Sequence, residues 1–115
     1  MITSTANEQV KFIRKLREKK YRNESGSFYI EGIRIVVEAM QVQGRVQTLI
    51  VAPELVQSKF AAEVVDTAGR QHIPVLEVSA PVFETFSLKD GPQGVAALVR
   101  QKWDAIDSID PQNMG

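Results

Sequence analysis

The 115-residue sequence contains no cysteine, a single histidine and no long apolar run. Without cysteine, it can form no disulfide-stabilised scaffold, thiol nucleophile or thiolate metal site. The one histidine, His72, has no cluster of His, Asp and Glu at ligand spacing around it, so the sequence indicates neither a metal centre nor a positioned general base. No predicted strand is followed by a G-x-G-x-x-G or P-loop pattern that would hold phosphate groups. We therefore do not expect an enzyme that is complete within these residues.

Membrane attachment and secretion are not indicated either. The apolar runs, such as Leu49 to Ala52, are too short to cross a bilayer, and the first residues lack the apolar core of a signal peptide. We therefore expect a cytoplasmic protein with no membrane partner. The length suits one domain, and a hydrophobic content of 43% is too high for a disordered chain.

The net charge is zero, from 14 basic and 14 acidic residues, but the charges are unevenly distributed. Residues 1–27 carry seven basic and three acidic groups, a net charge of +4. Residues 28–102 carry a net charge of −1, and residues 103–115 carry −3. This asymmetry is typical of a nucleic-acid-binding segment, although a solvated helix face beside an acidic linker gives the same pattern.

The hydrophobic pattern predicts one α/β domain over residues 1–102, followed by a polar linker over residues 103–115. Strands that alternate with helices favour right-handed crossovers, and hence a three-layer α/β/α sandwich with a mainly parallel four-stranded sheet. In chain order, we first predict a helix from about Asn7 to Lys19, a turn over Asn23–Gly26 and a strand Phe28–Glu31. We then predict a helix over Ile33–Met40 that Gly44 ends, a strand Gln47–Ala52 and a helical stretch from Pro53 to Gly69. The last predicted elements are a strand Ile73–Val78, a short helix capped by Ser79, and a strand Val95–Val99.

The first predicted helix is amphipathic and basic. At about 100° per residue, its apolar residues share one arc and its basic residues share the opposite arc. The apolar arc holds Val10, Phe12, Ile13 and Leu16. The basic arc holds Lys11, Lys15, Lys19 and Arg22. Cations at this spacing can reach successive phosphates, and Tyr21 and Tyr29 can stack on unpaired bases, although half-buried packing is the favoured interpretation for Tyr29.

Two other segments have features of a binding site. Gly32 and Arg34 lie where the first strand meets the next helix, so the helix N-terminus and a forked cation are both available to an anion. Gly32 can equally be there to permit a sharp turn, with Glu31 capping the backbone. The second segment, Gly91 to Gly94, forms a rigid loop that can approach a ligand closely or serve as a plain connector.

Several of these residues, taken in order, resemble a known family over roughly residues 2–100. The matching pieces are Ser4-x-x-Asn7, Lys11, Leu16, Gly26-x-Phe28-x-x-Glu31-Gly32-x-Arg34, Val37-Glu38-Ala39 and Pro92-Gln93-Gly94-Val95. They resemble the N-terminal substrate-binding domain of SpoU/TrmH-type RNA 2′-O-ribose methyltransferases of the SPOUT class. The resemblance implies a fold similar to that of kink-turn-binding ribosomal proteins. It also implies a following catalytic domain, absent from this sequence, that binds S-adenosylmethionine and forms a homodimer.

The resemblance also suggests which residues contact RNA. It carries over Lys11, Arg14, Arg22, Arg34 and Gln93, and the basic arc adds Lys15 and Lys19. Catalytic and cofactor-binding positions have no counterpart, so we expect no cofactor in this chain. The leading hypothesis is a domain that recognises structured RNA, expected to be ribosomal RNA, for an attached methyltransferase. The alternatives are a stand-alone RNA-binding protein of the kink-turn ribosomal type and a module that docks an acidic protein surface.

Overall fold

The computed structural model describes residues 1–57 and 59–100, which form an α/β fold. A single four-stranded sheet is packed against five α-helices. In chain order the elements are α1 (Glu8–Lys15), α2 (Lys19–Ser25), β1 (Ser27–Glu31), α3 (Ile33–Met40), β2 (Val46–Val51), a 3₁₀ turn (Pro53–Leu55), α4 (Lys59–Arg70), β3 (Val75–Glu77), α5 (Ala80–Phe86) and β4 (Val95–Arg100). The predicted linker over 103–115 lies outside the described residues.

The sheet is mixed, so the prediction of a mainly parallel sheet is wrong. The strand order is β1-β4-β2-β3, and only β2 and β3 pair in parallel. The last strand, β4, lies between β1 and β2 and runs antiparallel to both of them. The first three strands share one direction and are joined by helical crossovers, as predicted, so the error is confined to β4.

The direction of β4 follows from where the chain after α5 is held. The Leu88 N–H donates to Glu31 at the end of β1, and the Gly94 carbonyl accepts from the N–H of Ala52, just past β2. Both contacts hold the chain at the end of the sheet where β1 and β2 finish, so β4 begins there and runs antiparallel to both strands.

Helices cover both faces of the sheet, as the prediction of a three-layer arrangement requires. Helices α3 and α4 pack on one face, and α1 and α5 pack on the other. Successive side chains of β4 point to opposite faces of the sheet and are buried on both. Val95, Ala97 and Val99 are buried on the face covered by α3 and α4. Ala96 and Leu98 are buried on the face covered by α1 and α5. The similarity to kink-turn-binding proteins remains a prediction.

The first predicted helix is divided in two. Helix α1 ends at Lys15, and α2 begins at Lys19 and continues through the predicted turn to Ser25. Gly26 ends α2 with a φ of 71°, a left-handed conformation that glycine adopts without strain. Phe12 was assigned to the apolar arc, but it is 37% exposed, whereas Val10, Ile13 and Leu16 are buried. The prediction that Gly44 ends α3 is also wrong, because α3 ends at Met40.

Candidate nucleic-acid interface

Helix α1 is capped at its start and directs its basic side chains away from the sheet. Asn7 accepts through Oδ1 from the N–H groups of Gln9 at 2.8 Å and Val10 at 3.4 Å. With the apolar residues of α1 packed against the sheet, Lys11 and Lys15 are exposed, and Arg14 is half-buried. We call α1, α2 and the turn between them, with their basic residues, the basic face. Its members are Lys11, Arg14, Lys15, Arg17, Lys19, Lys20 and Arg22.

Arg22 holds the two helices of the basic face together. Its Nη1 donates to the carbonyl oxygens of Leu16 and Arg17, both at 2.9 Å. These carbonyls follow the end of α1, where the helix dipole favours a cation. Arg22 therefore does not lie on the same arc as the lysines of α1, and its predicted contact with RNA remains a prediction.

Tyr21 and Tyr29 have different environments. Tyr21 is half-buried, with Lys15 Nζ 5.4 Å and Lys20 Nζ 5.5 Å from its ring centroid, in the range of cation–π contacts. The Tyr29 ring lies edge-on to Phe86 at 5.7 Å between centroids. Tyr29 therefore has the packing role favoured for it from sequence, and Tyr21 is the aromatic ring on the basic face.

Acidic side chains compensate little of this positive charge. Within the described ranges, the single ion pair joins Lys11 Nζ to Glu8 Oε2 at 3.7 Å, and the Glu8 side chain is 90% exposed. An exposed pair of this kind stabilises a protein by no more than about 1 kcal/mol and breaks readily. The basic face is therefore available to an anionic partner.

A buried carboxylate organises the other predicted segment, at the end of β1. Glu31 is only 7% exposed. Its Oε1 accepts from the Tyr29 hydroxyl at 2.9 Å and from the Leu88 N–H at 2.7 Å, and its Oε2 accepts from the Ser87 hydroxyl at 2.5 Å. Burial, reinforced by the Glu31 charge and hydrogen bond, raises the pKa of Tyr29 above its ordinary value. Glu31 therefore attaches the loop after α5 to β1 and does not cap its own backbone.

The loop that Glu31 attaches also reaches the start of α3. Gln93 Oε1 accepts from the Ile33 N–H at 3.0 Å, so a neutral amide oxygen occupies the first donor of this helix. Gly32 has a φ of 116°, and a β-carbon there would lie 3.1 Å from Lys89 Nζ. Arg34 is exposed in the first turn of α3. The structure thus brings Arg34, Gln93 and Lys89 to one helix end, which we call the α3 junction.

A groove runs between the basic face and Leu88, the chain neighbour of Lys89 in the α3 junction. This cavity of about 460 Å³ is lined by Arg17 and Arg22 from the basic face and by Tyr29 and Leu88 from the sheet and the loop. Leu88 is 66% exposed, and Arg17 Nη2 donates to the Thr85 carbonyl at 3.0 Å. Of the seven predicted contact residues, five lie on the basic face, and Arg34 and Gln93 lie at the α3 junction.

The predicted set omits three cations on these surfaces. Arg17 and Lys20 contribute to the +4 charge of residues 1–27, so the charge count could have added them. No charge pattern in the sequence indicates Lys89, because only the folded loop brings it beside Gly32. In the part of the chain that the structure describes, no three His, Asp or Glu side chains form a group that could hold a metal ion. No helix among these residues is long and apolar enough to cross a membrane.

Comparison with known families gives a match over most of the chain. The pattern of the MRM3-like substrate-binding domain matches residues 7–97. Among curated protein sequences, none matches the chain significantly.

Solved structures of methyltransferases share this fold. An rRNA methyltransferase from Sinorhizobium meliloti is 32% identical, with a TM-score of 0.71 over 89% of this chain and 37% of its own. An RNA 2′-O ribose methyltransferase is 30% identical, with a TM-score of 0.73 over 95% of this chain and 40% of its own. The SpoU methyltransferase AviRb from Streptomyces viridochromogenes, at 22% identity, has the same fold, with a TM-score of 0.68 over 88% of this chain and 35% of its own. The chain thus spans less than half the length of the solved chains that it matches.

Proposed function

This chain belongs to the MRM3-like substrate-binding domains, which confirms the resemblance to SpoU/TrmH substrate-binding domains, and we propose that it recognises structured RNA. The family places the chain in a role related to RNA methylation. In our proposal the basic face contacts the RNA backbone, and the α3 junction contacts the RNA from the other side of the groove. The observation that supports this most strongly is the basic face itself. Its six basic side chains on α1 and α2, with Arg17 between the helices, have one weak ion pair among the described residues.

The finer proposal concerns the reaction that this recognition serves. The chain would present RNA, and ribosomal RNA in particular, to a catalytic domain that methylates the ribose 2′-hydroxyl. The support is the resemblance in sequence and fold to methyltransferases whose chains are more than twice as long. We assign methyl transfer and homodimer formation to that other domain.

The groove beside the basic face does not fit S-adenosylmethionine, the methyl donor that the resemblance implies. It carries the guanidinium groups of Arg17 and Arg22, whose charge opposes the sulfonium cation of the donor. In a calorimetric titration of this chain with S-adenosylmethionine, we expect no binding isotherm. A stoichiometric isotherm would contradict the assignment of the cofactor to another domain.

A salt titration of RNA binding tests the proposed function. Neutralising about four to six phosphates should make log K fall against log salt with a slope on the order of −3 to −5. We would measure fluorescence anisotropy with a labelled RNA stem-loop for the wild-type chain and for K11Q/K15Q/K19Q. Each lost phosphate contact should reduce the slope by roughly 1. K59Q is the matched control, because Lys59 is exposed at the start of α4, away from the basic face.

Two outcomes would contradict this function. Binding that does not depend on salt, or that is the same for the triple variant and for K59Q, would show that the basic face does not hold RNA. A lack of ultraviolet crosslinks to RNA, together with crosslinks to an acidic protein, would favour the alternative of a protein-docking module. A stand-alone RNA-binding protein gives the same isotherms but does not support methylation when supplied with the catalytic domain of a relative.

A further inference from the structure

A second polar cavity lies at the end of the sheet opposite the α3 junction. It has a volume of about 670 Å³ and is formed by the turn between α3 and β2, the turn between α4 and β3, and the end of β4. We call it the distal cavity. Its lining includes Arg70, His72 and Arg100, together with the amide side chains of Gln41, Gln43, Gln47 and Gln71. Among the described residues that line it, none has an acidic side chain.

The two arginines of this cavity are anchored by neutral acceptors. Arg100 donates through Nε to the Gly44 carbonyl at 2.9 Å, and Arg70 donates through Nη2 to the Thr67 hydroxyl at 3.1 Å. In residues 1–57 and 59–100, no carboxylate lies within 4 Å of either guanidinium group. Among these residues, the positive charge of both side chains is therefore not compensated by an ion pair.

The backbone turn after α4 shapes one wall of the distal cavity. His72 has a φ of 60°, and the Ile73 N–H donates to the Ala68 carbonyl at 2.8 Å. This left-handed residue turns the chain sharply from α4 towards β3 and leaves Arg70, Gln71 and His72 at the cavity. A non-glycine residue in this conformation is uncommon, although histidine adopts it more often than most.

A hydrogen bond connects the distal cavity to the end of the basic face. Helix α2 ends at Gly26, and the next residue, Ser27, donates through its hydroxyl to Gln47 Oε1 at 2.6 Å. Gln47 is part of the cavity lining. An RNA held along α1 and α2 therefore has the distal cavity within reach at the end of α2.

We propose that the distal cavity binds one nucleotide of a single-stranded RNA segment, a second RNA contact separate from the basic face and the α3 junction. This inference rests on the proposed function. A guanidinium group, of which this cavity has two, matches the geometry and charge of a phosphate. Glutamine amides carry both donors and acceptors, as the edge of an unpaired base requires, whereas a duplex keeps those edges paired. The volume is in the range of about 300 to 1,000 Å³ that ligand pockets have.

A comparison of two RNA probes tests this assignment. The first is a blunt stem-loop, and the second is the same stem-loop with a single-stranded 3′ extension of uridines. For the extended probe, R70Q/R100Q should weaken binding on the order of tenfold and reduce the salt slope by about 1 to 2. For the blunt probe, the same variant should bind like the wild-type chain. K59Q, which removes one charge at the other end of α4, is the control.

A second variant covers the case in which R70Q/R100Q fails to fold. R70Q alone keeps the bond from Arg100 to Gly44, and it loses only a bond to Thr67 within α4. It should weaken binding of the extended probe by several fold and leave the thermal midpoint unchanged. Uridine monophosphate, titrated alone, should bind far more weakly than the extended probe, because the stem adds the contacts of the basic face.

The possible results separate this inference from the proposed function. If R70Q binds both probes like the wild-type chain while K11Q/K15Q/K19Q weakens both, the distal cavity does not bind RNA and the proposed function stands. If the wild-type chain binds neither probe, both are wrong. If uridine monophosphate binds as tightly as the extended probe, the cavity takes a free nucleotide, and its assignment to an RNA segment is overturned.

Discussion

Gln93 Oε1 accepts a hydrogen bond from the Ile33 backbone N–H at 3.0 Å, across a separation of 60 residues. Residue 93 belongs to the loop before β4, and residue 33 begins α3. One side-chain atom therefore joins the two segments whose binding features the sequence shows separately. Gln93 has a structural role at the site where the family resemblance predicts contact with RNA.

The two roles of Gln93 can be separated by substitution. Gln93→Glu keeps an oxygen that caps α3 and adds a negative charge, which a helix N-terminus favours. We expect the thermal midpoint to stay the same or rise, and RNA affinity to fall because the new carboxylate repels phosphates. Gln93→Ala should lower the unfolding free energy by about 1 kcal/mol. If Gln93→Glu leaves RNA affinity unchanged, Gln93 is a cap only.

The structural role of Arg22 on the basic face can also be tested by substitution. Arg22→Gln removes the bonds to the carbonyls of Leu16 and Arg17, and it should cost about 1 to 2 kcal/mol of unfolding free energy. Arg34→Gln is the matched control, because Arg34 is exposed, and it should change stability by less than about 0.5 kcal/mol. Urea denaturation measures both. Equal stability of the two variants would show that Arg22 does not hold the turn between α1 and α2.

Two glycines with similar backbone angles should differ in their tolerance of alanine. Gly94 has a φ of 81°, and a β-carbon there would lie 2.8 Å from the Ala52 carbonyl oxygen and 2.9 Å from Leu55 Cβ. Gly26 has a φ of 71°, with no atom within 4 Å of that position. Gly26→Ala should therefore cost about 1 to 2 kcal/mol from backbone strain alone, and Gly94→Ala about 3 kcal/mol or more. Thermal unfolding that ranks them in the opposite order would contradict the close approach at Gly94.

Ionisation of Tyr29 should destabilise the fold at alkaline pH. Because its pKa is raised in the folded state, the folded chain holds this proton more tightly than the unfolded chain does. Its effect on stability is therefore fully present below about pH 10, the ordinary pKa of tyrosine, and is lost as the pH rises above that value. Denaturation from pH 9 to pH 11.5 should show a decline that Tyr29→Phe reduces. At neutral pH this variant should be less stable by about 1 kcal/mol, because Glu31 loses a donor. If stability declines equally in Tyr29→Phe and in the wild-type chain, the decline comes from the ionisation of other groups.

Local sequence pattern was sufficient to predict most elements of the fold. The apolar runs that became β1, β2 and β4 and the Ser79 cap of α5 depend on residues close together in the chain. The direction of β4 depends instead on contacts of the chain after α5 with Glu31 and Ala52, which are distant in sequence, and no periodicity reveals those contacts. The break after Leu16 similarly depends on Arg22, whose guanidinium group donates to the Leu16 carbonyl oxygen six residues earlier in the chain.

The candidate site was predictable in composition but not in arrangement. The charge count located the basic face, because the basic residues are clustered between residues 11 and 22. The capping role of Gln93 and the approach of Lys89 to Gly32 join residues nearly 60 apart, and only the folded loop reveals them. No sequence pattern indicates the distal cavity, because its lining comes from three separate segments of the chain.

The central position of β4 has a consequence for how the domain folds during synthesis. Strand β1 pairs with β4 alone, and β4 is the last strand in the described chain. Until the ribosome has released residues 95–100, β1 has no partner and one edge of β2 is open, so apolar strand edges are exposed on the nascent chain. The domain therefore closes in one late step, and a chain cut within β4 should be aggregation-prone instead of partly folded.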